Sequence, residues 1–156
     1  MTDAHDLAAA LLDEAALDGF VAAWRAGRLP KAAWTHAAHV AVCAYHAWPD
    51  VPHEALSDAM RRGIRAYNEA VGTPNTATSG YHETLTRFWC GVVAARLADT
   101  RPPTRLEGVR DAVAAFGNAR ALHREYYDVD VVGDPVARAS WVPPARRQTE
   151  TSRTSF

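Results

Sequence analysis

Tyr81-His82-Glu83-Thr84-Leu85-Thr86-Arg87-Phe88-Trp89-Cys90-Gly91-Val92-Val93-Ala94-Ala95-Arg96-Leu97 is apolar around most of a helical circumference. A helix of that kind has to be covered on several sides, so it belongs at the centre of a bundle rather than on its surface. Working outward, the same 3.6-residue logic recurs. Leu17, Phe20, Val21 and Trp24 stand three and four residues apart, and Gly27 closes that segment. Thr35 is a candidate cap for a helix over His36 to Ala47, which Trp48-Pro49 ends. Leu56, Met60, Gly63, Ile64, Tyr67 and Val71 form the buried stripe of another, stopped by Gly72.

Thr73 to Gly80 is a polar loop. Arg101-Pro102-Pro103 breaks the central helix, and Thr104 with Glu107 is a capping-box pattern for the next, carrying Leu106, Val109, Val113 and Phe116. Short helices are expected over 4–12, behind an Asp3 cap, and around Leu122 to Tyr127. Gly133-Asp134-Pro135 reads as a turn, and the only strand-like run is Val129–Val132. The expectation is an all-α, single-domain bundle of about six helices over 1–143, with little or no strand. Its main helices should pack antiparallel across short connections. Residues 144–156 should form a disordered tail.

The chain has 156 residues, enough for one domain with a core that can hold a pocket. Seventeen basic and eighteen acidic residues leave a net charge of −1, which gives no general electrostatic reason to bind nucleic acid or an anionic membrane. No run reaches the roughly 20 apolar residues of a membrane span. Asp3, Asp6, Asp13 and Glu14 stand where a signal peptide would need a basic start and an apolar run, so a cytoplasmic location is expected. Cys43 and Cys90 are too few for a disulfide framework and read as buried thiols. A monomer or a homodimer fits, with Trp48 or Trp141 as a pairing surface.

The chemistry concentrates in histidine, of which there are seven. His36 and His39 are helical neighbours on the face that carries Val40 and Cys43. They lie in a first turn, where free N–H groups and the positive dipole end favour neutral imidazoles. On the central helix, His82 projects about 20° from Trp89 at 100° per residue, which aims it inward. Glu83 falls on the flank with Cys90. The reading is a small-molecule enzyme with a site between two helix N-termini. His36, His39, His82 and Glu83 would hold a divalent transition metal (Zn, Fe or Mn), with Glu83 and His39 as the acid/base pair.

Two alternatives stay open: a cofactor-free His/Glu isomerase, lyase or cyclase, and a non-enzymatic ligand- or partner-binding module. Each residue also has a plainer reading: His82 as a core histidine bonded to a carbonyl, and Glu83 as a partner of Arg87 at i+4. Tyr81, Trp34, Asn68 and Trp89 are the candidates to line a substrate pocket. His123 is a late candidate for a further ligand; His5, His46 and His53 are read as solvent-side or structural.

Trp34-Thr35-His36-Ala37-Ala38-His39-Val40, Tyr67-Asn68, Asn75-Thr76, Gly80-Tyr81-His82-Glu83-Thr84-Leu85-Thr86 and Ala137-Arg138 with Trp141 and Pro143 resemble a largely uncharacterised family of small helical bacterial proteins. Its signatures are W-T-H-x-x-H and G-Y-H-E-T-x-T. The resemblance spans about residues 17–144. It implies that these motifs belong together and supplies no reaction. Relatives usually carry an acidic residue after the late proline, where this chain has Pro144.

Overall fold

The structure, a computed structural model, describes residues 5–145. Among these the chain folds into helices and no strand. In order they are α1 (Leu7–Ala10), α2 (Glu14–Arg25), α3 (His36–Ala47), α4 (His53–Ala70), α5 (Glu83–Thr100), α6 (Arg105–Phe116) and α7 (Pro135–Ala139), with 3-10 turns at Lys31–Ala33 and Leu122–Glu125. Of the tail expected from residue 144, positions 146–156 lie outside the described residues. No helix among the described residues is long and apolar enough to cross a membrane.

Side-chain caps explain most boundaries. The Thr35 hydroxyl accepts from the Ala38 N–H at 3.2 Å and starts α3. Thr104 does the same for α6 through the Glu107 N–H at 3.1 Å. Three expectations shift. The first helix is only one turn, Leu7–Ala10, capped by Asp6, which accepts from the Ala8 N–H; Asp3, the expected cap, lies outside the described residues. Gly133-Asp134-Pro135 does not merely turn: Asp134 caps α7 and Pro135 takes its first position, where a missing N–H costs nothing. The segment around Leu122 tightens to a 3-10 turn.

α3 is the axis of the packing, meeting both α5 and α6, while α4 packs on α5. Its buried alanines, Ala38, Ala41 and Ala44, keep the helices close, while Trp24, Phe20, Leu17, Leu29 and Leu56 fill the volume beneath. A second cluster, Phe88, Val92, Tyr127, Val131 and Ala137, fastens the chain after α6 onto α5. Thr84 anchors that segment twice: its hydroxyl donates to the Ser140 carbonyl at 2.9 Å and accepts from the Val142 N–H at 3.0 Å. This return of the later chain over α3 and α5 encloses the site.

Candidate functional site

A cavity of about 720 Å³ lies between α3, α4, α5 and the segment from Arg120 to Arg138. Trp34, His36, His39, Asn68, Tyr81, His82 and Trp89 all line it, together with Cys43, Cys90, Arg120, His123, Arg124 and Arg138. Every residue expected to bind substrate is therefore on its wall. Among the expected metal and acid/base residues, Glu83 alone is not.

His39 is held by two contacts. It stacks on Trp34 with ring centroids 3.7 Å apart. Its Nδ1 lies 2.8 Å from the Thr35 carbonyl oxygen. A carbonyl can only accept, so Nδ1 carries the hydrogen and Nε2 keeps its lone pair. Burial pushes the imidazole down to about 4, so it is neutral at pH 7. His36 is fixed the opposite way round. Its Nε2 donates to the Phe116 carbonyl at 3.0 Å, leaving the lone pair on Nδ1. Its ring meets Trp89 edge-on at 4.7 Å. Desolvation lowers its pKa, and the Arg120 charge adds to that.

His82 is not on the first turn of α5 but immediately before it, as the N-cap. Helical projection therefore does not apply to it. Its Nδ1 accepts from the Leu85 N–H at 3.2 Å, and its Nε2 donates to the Val131 carbonyl at 2.8 Å. Both ring nitrogens are spent on backbone, and burial lowers its pKa. Gly80 precedes it with φ at +77°, where a Cβ would meet the Asn75 side chain at 2.6 Å. Asn75 organises this approach: its Oδ1 takes the Tyr81 N–H at 3.0 Å and the Asn68 amide at 2.9 Å.

Glu83 is clasped rather than free. Arg61 Nε and Nη2 donate to its two oxygens at 2.9 and 2.5 Å, and the Tyr81 hydroxyl donates at 2.6 Å. Desolvation alone would raise its pKa; the Arg61 and Tyr81 hydrogen bonds outweigh that and leave it below the usual carboxylate range. Arg87, the expected i+4 partner, pairs instead with Glu54 at 2.6 Å.

These bonds bear on how the expected metal donors could act together. His82 offers no lone pair, and Glu83 is engaged by a bidentate arginine, so His36, His39, His82 and Glu83 do not fit a shared ion. Among the described residues, no group of three or more His, Cys, Asp or Glu is placed to hold one.

Several wall residues carried too little sequence signal to be singled out. Arg120 and Arg124 belong to no motif, and Arg138 stands only within the resemblance. His123, buried, donates from Nδ1 to the Arg120 carbonyl at 3.2 Å. Cys43 and Cys90 meet at the cavity with sulfurs 3.9 Å apart. No protein-family model, curated protein or solved structure matches the chain.

Proposed function

We propose that the chain is a small-molecule enzyme working by proton transfer in this cavity, with His39 as the base and His36 as a second neutral acceptor. The observation that carries it is the His39 geometry. The ring is locked against Trp34, its Nδ1–H is committed to Thr35, and one lone pair is left on Nε2 of a cavity-lining residue. That is the arrangement of a preorganised base, whose second nitrogen is fixed by a carbonyl. Its low pKa keeps it ready at neutral pH and suits it to an acidic C–H or O–H. A negative charge developing beside it on proton removal would strengthen the imidazolium that forms.

Tyr81, Trp34, Asn68 and Trp89 are assigned to substrate contact. Glu83 and His82 are positioning residues: one sets Tyr81 and α4 against α5, the other sets the start of α5. This favours the cofactor-free isomerase, lyase or cyclase class over a metal-dependent one, with His39 rather than Glu83 moving the proton.

Deuterium uptake tests it. Metabolite-sized compounds with an acidic C–H would be incubated with the protein in D2O and followed by mass spectrometry. At least one should exchange, and His39→Ala should slow it by about 100-fold or more, the lower range for a general base. Exchange that survives unchanged in both His39→Ala and His36→Ala would overturn the assignment. Saturable binding with no exchange would favour a ligand-binding module instead.

A further inference from the structure

The cavity wall is electrostatically one-sided. Arg120, Arg124 and Arg138 line it, and no aspartate or glutamate does. The chain as a whole is slightly acidic, at −1, so this is a local accumulation and not a reflection of composition. Elsewhere four arginines pair with carboxylates, Arg61 with Glu83, Arg62 with Asp58, Arg87 with Glu54 and Arg96 with Asp111, while Arg25 bonds His46, Arg105 and Arg110 bond backbone carbonyls and Arg65 lies over the Tyr81 ring. Among the described residues, Arg120 and Arg124 have no such partner. Arg138 spends one nitrogen, Nη1, on the Gly80 and Tyr81 carbonyls at 2.8 and 3.3 Å, which fixes it at the wall with donors to spare.

Planar guanidinium groups with unused donors recognise carboxylate or phosphate oxygens, singly or in pairs. The remaining wall is of different chemistry. Trp34 and Trp89 offer indole surface, and Val40, Met60, Ile64 and Leu85 offer aliphatic surface. A compound that satisfies both must have an anionic end and an apolar, ring-sized body.

We propose that the cavity binds a small organic anion, a carboxylate or a phosphate monoester, with its charged group on Arg120, Arg124 and Arg138 and its apolar body against Trp34 and Trp89. This rests on the reading of the cavity as the functional site, and it is tested by binding, independently of turnover. An anion seated there also places negative charge near His36 and His39, which raises the basicity that burial and Arg120 hold down.

Two fluorescent probes of nearly the same shape separate charge from apolarity. 8-Anilinonaphthalene-1-sulfonate carries an anion, and N-phenyl-1-naphthylamine lacks it. The full chain at pH 7.5 should bind the sulfonate saturably and at least 10-fold more tightly than the neutral probe. Arg120→Gln/Arg124→Gln, at two exposed positions without a carboxylate partner among the described residues, should lose at least 10-fold for the sulfonate and change the neutral probe by less than 2-fold. Benzoate and phenyl phosphate would then compete against the bound sulfonate, and the better competitor identifies the anion class.

Equal affinity for the two probes, or sulfonate binding indifferent to the double variant, would overturn the anion assignment while leaving the cavity and its base standing. Failure of both probes to bind would overturn the cavity as a binding site. His39→Ala should lose exchange chemistry while keeping the 10-fold preference for the sulfonate, so the two proposals fail separately.

Discussion

His82 serves two backbone groups with one neutral ring, and its tautomer is dictated by both. The Leu85 N–H needs a lone pair on Nδ1, and the Val131 carbonyl needs a hydrogen on Nε2. Substitution separates these duties. Asparagine is among the best N-caps but is too short to span to Val131. His82→Asn should therefore cost about 1 kcal/mol in urea unfolding, the typical worth of one hydrogen bond. His82→Ala should lose the cap as well and cost about 2 to 3 kcal/mol. Equal stability for the two variants would show that the cap contributes nothing.

The plainer reading of His82, a buried histidine bonded to a carbonyl, was legible in the sequence; its capping of α5 and the identity of that carbonyl were not. Histidine is not a usual capping residue, and its partner lies 49 residues downstream, beyond any local pattern. Glu83 is the same case. The local rule pointed to Arg87 at i+4, whereas the partner, Arg61, comes from another helix.

At the scale of the element, capping signals carried far. α3 begins and ends at His36 and Ala47 as its flanking Thr35 and Trp48-Pro49 imply, because those constraints act within four residues. The stripe on α4 was equally plain, and one of its members shows why spacing alone is incomplete. Gly63 lies in the stripe as if it were merely small, but a Cβ there would run into the Trp24 indole. Glycine is required by the neighbour and not by the backbone. Gly63→Ala gains helix propensity of about 1 kcal/mol. It also forces a buried, rigid ring to move, and overpacking of that kind costs about 1 to 3 kcal/mol. Thermal unfolding should show net destabilisation; a more stable variant would mean that Trp24 has room to shift.

The whole molecule has a pH dependence that follows from its histidines. His36, His39, His46, His82 and His123 are all depressed, chiefly by burial. An unfolded chain takes up these protons near pH 6.5, while the folded chain resists. Below that pH the unfolded state binds more protons, so stability falls with acid and is retained above it. His39 alone, held at about 4, contributes up to roughly 3 kcal/mol that is lost between pH 6.5 and 4. Glu83 and Asp111, also depressed, act in the same direction below their ordinary values. The melting temperature should drop steadily from pH 7.5 to 5, and His39→Gln should flatten that slope. A melting temperature constant over this range would show that these rings titrate freely.

The fold class was readable because helical periodicity and caps are local. The candidate site was readable only on one side. His36, His39, Trp34, Asn68, Tyr81 and Trp89 come from the chain up to α5, while the arginines that share their cavity are brought in by the late chain folding back.

That return has a consequence in time. The rings of α3 and the indole of Trp89 are made well before Arg120, His123, Val131 and Arg138 leave the ribosome. A chain ending after α6 already carries His36, His39 and the indoles of Trp34 and Trp89, yet it has neither the three arginines nor the Val131 carbonyl that His82 bonds. On the proposed reading, an anion can be held only once the segment beyond α6 is made and docked on α5, because Arg120, Arg124 and Arg138 all belong to it.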